Sequence, residues 1–145
     1  MARWHPWIVL VHLSCAIVFI GAVAFEVFVL DALHGRLDNA TVQRVEAIVM
    51  ERARRFMPYV VATLFVTGGL LFELRCGGLS CMGSRFGVWL GLKVLLALGV
   101  LAVFIGAVRA GRHGGMDPCR FRHTHRIVLV LMAAIVLLAK TMFVL

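Results

Sequence analysis

Residues 88–100 read VWLGLKVLLALGV, a run of apolar side chains interrupted by one lysine, Lys93. Lengthened to residues 86 to 109, the run exceeds the roughly 20 apolar residues that a helix needs to cross a bilayer. Three further stretches qualify: about 6 to 33, 57 to 75 and 124 to 145. Hydrophobic residues make up 62% of the chain, charged residues only 15%, and the mean hydropathy is +0.98. That balance excludes an ordinary soluble domain. None of the runs alternates as barrel strands do, and a bilayer admits only helices or closed barrels. The expected fold is therefore all-α: an integral membrane four-helix bundle forming a single four-span domain over residues 1–145, without internal repeats.

The first run begins close to the N-terminus and contains HLSCA (residues 12–16). Its apolar stretch is too long for a signal core, so it is read as a retained helix. Basic residues set the expected orientation. Arg36, Arg44, Arg52, Arg54 and Arg55 lie between spans one and two, and Arg109, Arg112, Arg120, Arg122 and Arg126 lie around the connection between spans three and four. The positive-inside rule places both basic loops in the cytoplasm and both termini outside. Trp4, Trp7 and Trp89 fall at the opposite ends of spans one and three, where indoles favour the interface. The net charge of +8 thus speaks for membrane orientation and not for nucleic acid.

Between spans one and two, DNATVQRVEAIVMERARRF (residues 38–56) sets Val42, Val45, Ile48 and Val49 at helical spacing. This predicts an amphipathic helix along the cytoplasmic face, with Asn39 as its N-cap and Pro58 ending or kinking it at the second span. Its arginines suit anionic lipid.

Polar residues inside the spans mark candidate chemistry. At 1.5 Å per residue His12 lies roughly 8 Å below the outer boundary, Lys93 about 10 Å and Lys140 about 7 Å. Three nitrogen-bearing side chains from three helices thus share one layer. Lys140, close to the chain end, can snorkel to water, whereas Lys93 either does the same or serves a buried site. A second polar layer holds Glu26, Asp31 and His34 on span one with Arg109, His123, His125 and Arg126 on spans three and four. Carboxylate–arginine pairing accounts for these residues; arginines such as Arg126 could also hold propionates or a quinone headgroup.

Cys76 and Cys81 flank the loop CGGLSC (residues 76–81), and outside the membrane a disulfide between them is the first expectation. Alternatively Cys76, Cys81 and Met82, with His5, supply soft ligands for copper. Cys15 and Cys119 are spare thiols. Phosphate loops, catalytic triads and zinc signatures are absent from the sequence.

Four segments carry a resemblance: WIVLVHL (7–13), MERARRFMPYVVATLFVTGGLL (50–71), WLGLKVLLALGVLAVFIGAVRAGR (89–112) and LLAKTMF (137–143). Together they resemble the HemJ-type protoporphyrinogen IX oxidases and the neighbouring CopD-like copper proteins, over nearly the whole chain. Phe19, where the family pattern has a tryptophan, and Thr141, where it has a proline, depart from it. The resemblance implies a small four-helix inner-membrane protein in which His12 ligates the iron of haem b and Lys93 is needed for activity, with Glu51, Arg52, Pro58 and Lys140 also matching. The implied function is an oxidoreductase that passes electrons from a tetrapyrrole to a quinone-like acceptor; a homo-oligomer and a larger membrane complex both stay open as assemblies. Two other classes stay open: a CopD-like copper-handling protein, and a non-catalytic subunit whose lysines pair with a partner.

Overall fold

The computed structural model describes residues 3–77, 80, 81, 83–113, 118–141 and 144. Among these residues all regular structure is helical, and four helices are long and apolar enough to cross a membrane: His5–Leu33, Asn39–Cys76, Arg85–Ala110 and Arg122–Thr141. Between 6% and 17% of each apolar window is buried. Exposed Trp7, Ile17, Phe28, Leu95 and Leu137 illustrate the outcome, surfaces that suit hydrocarbon as the surrounding medium.

The chain forms two compact units, Met1–Arg75 and Cys76–Leu145. In the first, α1 (His5–Phe25) starts with Pro6 in its opening turn, where no intrahelical N–H is lost. It continues through a π-helical segment, Glu26–Leu30, into the short α2, Asp31–Leu33. After a turn the chain enters α3, Asn39–Cys76. The residue that caps α3 is Asp38, not Asn39. Its carboxylate accepts from the Thr41 amide at 3.0 Å and from the Thr41 hydroxyl at 2.7 Å, and its carbonyl accepts from Val42 N at 3.1 Å. The Thr41 hydroxyl, followed by the Thr41 amide, holds the Asp38 carboxyl below its ordinary value. Asp38 can satisfy both Thr41 donors because it stands three residues before them, the spacing of a helix cap.

The expected amphipathic segment and the second span are one helix of 38 residues, about 57 Å long against a hydrocarbon core of about 30 Å. Pro58 lies inside it and does not end it. The proline removes one N–H, whose partner would be the Arg54 carbonyl. With Asn39 to Met57 helical on one side and Tyr59 to Cys76 on the other, the remaining ladder carries the helix across that gap.

Two contacts tie α1–α2 to α3 antiparallel. Near one end His12 Nδ1 meets Thr67 Oγ1 at 3.0 Å; near the other His34 Nε2 meets Glu46 Oε1 at 3.3 Å. From His12 to His34 is 34 − 12 = 22 residues, and from Glu46 to Thr67 is 67 − 46 = 21. The π segment between the ties accounts for the difference, because such a bulge accommodates one extra residue without lengthening the helix. Within one residue this register sets Phe19 level with Val61 and Val23 level with Met57, all four buried. With Leu30 and Val42 they make up the buried apolar residues of the unit among those described.

In the second unit Cys76 and Cys81 form a disulfide, with their Cα atoms 5.1 Å apart. The Ser80 hydroxyl donates to the Cys76 carbonyl at 2.7 Å. Ser84 caps α4 (Arg85–Arg112): its hydroxyl accepts from Gly87 N at 3.1 Å and donates to the Cys81 carbonyl at 2.8 Å. α5 (Pro118–Thr141) follows after five residues and packs against α4, as a connection that short requires of two antiparallel helices.

Candidate functional site

The imidazole of His12 is the best-defined polar group within a span. It projects from α1 onto the Thr67–Gly68 step of α3, half-buried, with Nδ1 3.0 Å from Thr67 Oγ1 and 3.1 Å from the Leu64 carbonyl. The Thr67 hydroxyl lies 2.7 Å from the Thr63 carbonyl and 3.1 Å from the Leu64 carbonyl, both of which accept its proton. With that proton directed to backbone carbonyls, Thr67 Oγ1 accepts from the imidazole, and the Leu64 carbonyl is an acceptor by nature. Both contacts therefore require a proton on Nδ1, so in the neutral ring the lone pair belongs to Nε2. A hydrogen bond from one ring nitrogen to fixed acceptors is the way metal-binding histidines are oriented and their tautomer is set.

Gly68 makes this approach possible. A Cβ there would stand 3.1 Å from His12 Cε1, closer than carbon contacts normally come, and 3.7 Å from His12 Nδ1, an ordinary contact. Adjacent glycines in a helix interior cost about 1 kcal/mol each relative to alanine, and at Gly68 the close seat of the ring accounts for the choice. Thr67 is itself buried, 8% exposed. Neither residue is singled out by composition or periodicity. The triplet Thr67-Gly68-Gly69 within an apolar run is the signal that could have found them.

The other predicted residues are distributed as follows. His5 is the first residue of α1 and partly buried. Lys93 is half-buried on α4, 19 residues before its end at Arg112, and Lys140 is exposed, 22 residues after the start of α5 at Pro118. Counted from their connection, the two amines thus lie at about 28 Å and 33 Å along the hairpin. The hairpin therefore brings them within a helical turn in height. Arg126 is on α5, eight residues from its start.

The copper alternative drew on Cys76, Cys81, Met82 and His5. In the disulfide neither cysteine offers the thiolate that copper binds, and Met82 lies outside the described residues. Among the described residues no group of three or more His, Cys, Asp or Glu side chains is placed to hold a metal ion.

No family model matches this chain, and neither a curated protein nor a solved structure is similar enough to match it.

Proposed function

We propose that the protein is a haem b-binding redox protein of the bacterial inner membrane, a four-helix bundle with both termini outside and its basic loops in the cytoplasm, acting as a HemJ-type protoporphyrinogen IX oxidase does. One observation carries the reading: the His12 imidazole, inside an apolar span, has its Nδ1 proton engaged by Thr67 and Leu64, which assigns the lone pair to Nε2. The residues fit the group. Gly68 gives the ring its seat, and buried Phe19, two turns along α1 from His12, supplies apolar wall.

His12 Nε2 would hold the haem iron, and Thr67 with Leu64 keeps the ring in the binding tautomer. Bound haem would supply one-electron transfer between a tetrapyrrole substrate and a quinone-like acceptor. Lys93 Nζ is the proposed base: as the neutral amine it takes a proton from the substrate as hydrogen is removed. The half-buried position of Lys93 and its freedom from ion pairs among the described residues support that role. Lys140 is proposed to receive a carboxylate of the bound ring; Arg126, 14 residues earlier on α5 and about 21 Å away, is too distant to hold the same ring's other carboxylate.

The visible spectrum of the detergent-purified protein tests this reading. A Soret band at one pigment per chain is expected, with Lys93→Ala keeping the pigment and losing turnover of protoporphyrinogen IX. Copper retained through dialysis in a colourless protein would replace the proposal with the copper-handling reading. Colourless, metal-free protein would leave only the non-catalytic subunit.

A further inference from the structure

The basic half of α3 carries a surface that haem binding does not use. Arg44, Ile48, Arg52, Arg55 and Tyr59 recur at three- and four-residue spacing and all are exposed, Tyr59 at 76%, so they form one outward face. Ile48, Glu51, Arg52 and Arg55 line a shallow open depression on it. Arg55 Nη2 donates to Glu51 Oε1 at 2.8 Å. That single carboxylate offsets one guanidinium, and Arg52 beside it has no ion pair among the described residues. The depression is left with a net positive charge.

The register of the first unit gives the depth of this face. From the His34–Glu46 tie, six residues back along α1–α2 reaches Phe28 (34 − 6 = 28), and six residues on along α3 reaches Arg52 (46 + 6 = 52). Phe28 is 69% exposed and lies 28 − 7 = 21 residues from Trp7, itself 62% exposed. Those residues rise about 31 Å, the thickness of a hydrocarbon core. With Trp7 at one boundary, Phe28 and Arg52 stand at the other, where phosphates lie. Tyr59, the chain's single tyrosine, is on the membrane side of Arg52 and Arg55 on the same face, with an apolar ring and a polar tip suited to the interface.

We propose that Arg52 and Arg55 bind the phosphate of an anionic phospholipid, with Tyr59 against its acyl-chain region. Guanidiniums pair with phosphate oxygens in a fork that a lysine does not reproduce. A lipid, and not a free phosphate, is the occupant because exposed aromatic surface flanks the arginines on the membrane side.

Native mass spectrometry of the detergent-purified protein titrated with phosphatidylglycerol or phosphatidylcholine tests the site. The double variant Arg52→Gln/Arg55→Gln is expected to retain phosphatidylglycerol about thirtyfold less well, at about 1 kcal/mol per arginine, with phosphatidylcholine retention unchanged. Arg44→Gln removes the same charge eight residues away, about 12 Å, and is expected to change retention less than about threefold. Should the double glutamine variant not fold, Arg52→Lys/Arg55→Lys keeps the charge and is expected to lose at least about threefold. Native-like retention in the folded double variant, an equal loss in Arg44→Gln, or displacement of the lipid by inorganic phosphate would each overturn the proposal.

Discussion

Replacing Thr67 by valine isolates the contribution of one hydroxyl to the histidine site. Valine keeps the branched shape and has nearly the same helix propensity, so α3 should form unchanged. The variant removes the acceptor 3.0 Å from His12 Nδ1 and leaves the Leu64 carbonyl at 3.1 Å. The Nδ1 proton therefore keeps a partner, and the tautomer survives. A neutral hydrogen bond contributes about 0.5–1.5 kcal/mol net, and groups that orient a metal-binding histidine are worth about tenfold to a hundredfold in affinity. Because one of two acceptors remains, the expected loss is at the lower end, about tenfold in haem affinity, with apoprotein stability changed by no more than about 1 kcal/mol. The assay is haem transfer from the detergent-solubilised protein to excess apo-globin, with Thr67→Ser as the variant that keeps the hydroxyl. Faster transfer in the valine variant and native behaviour in the serine variant are expected. Equal transfer rates in all three proteins would refute the claim that Thr67 orients the ligand.

Gly68→Ala gains roughly 1 kcal/mol of helix propensity but places a methyl 3.1 Å from His12 Cε1. Haem retention should fall severalfold while the melting temperature of the apoprotein does not drop. Asp38 stabilises the start of α3 as a carboxylate whose folded-state value is lowered by Thr41. Its contribution is present above the ordinary carboxylate range and is lost as pH falls through the lowered value, so amide exchange at Thr41 and Val42 should accelerate in acid. Asp38→Asn keeps a cap and removes that acid dependence. The Cys76–Cys81 disulfide closes a short loop. Cys76→Ser/Cys81→Ser should cost about 2 kcal/mol by loop entropy, and thiol titration of the native protein should show two additional thiols only after reduction.

The four helices are legible in the sequence because an apolar run long enough to cross a bilayer has few alternatives to a helix. Their ends are less so. α3 runs through Pro58 because a missing N–H costs one rung of a long ladder, a deficit that the proline alone does not weigh against the residues around it. Asp38 takes the cap from its neighbour Asn39 because Thr41 offers two donors at the right offset, and either residue type suits a cap. The π segment at Glu26–Leu30 has no local signature: it answers a mismatch of one residue between two ties that are distant in sequence. For the same reason His12 stands out as a polar atom in an apolar run, while Thr67 and Gly68, 55 and 56 positions further on, become visible as its seat only when the helices pack.

The central claim is that Nε2 of His12 carries the haem iron, and chemical complementation tests it most directly. A His12→Gly variant supplied with haem should purify without a Soret band and regain it when imidazole is added, because the free base replaces the missing ligand. A variant lacking His12 that keeps full pigment without imidazole would contradict the account.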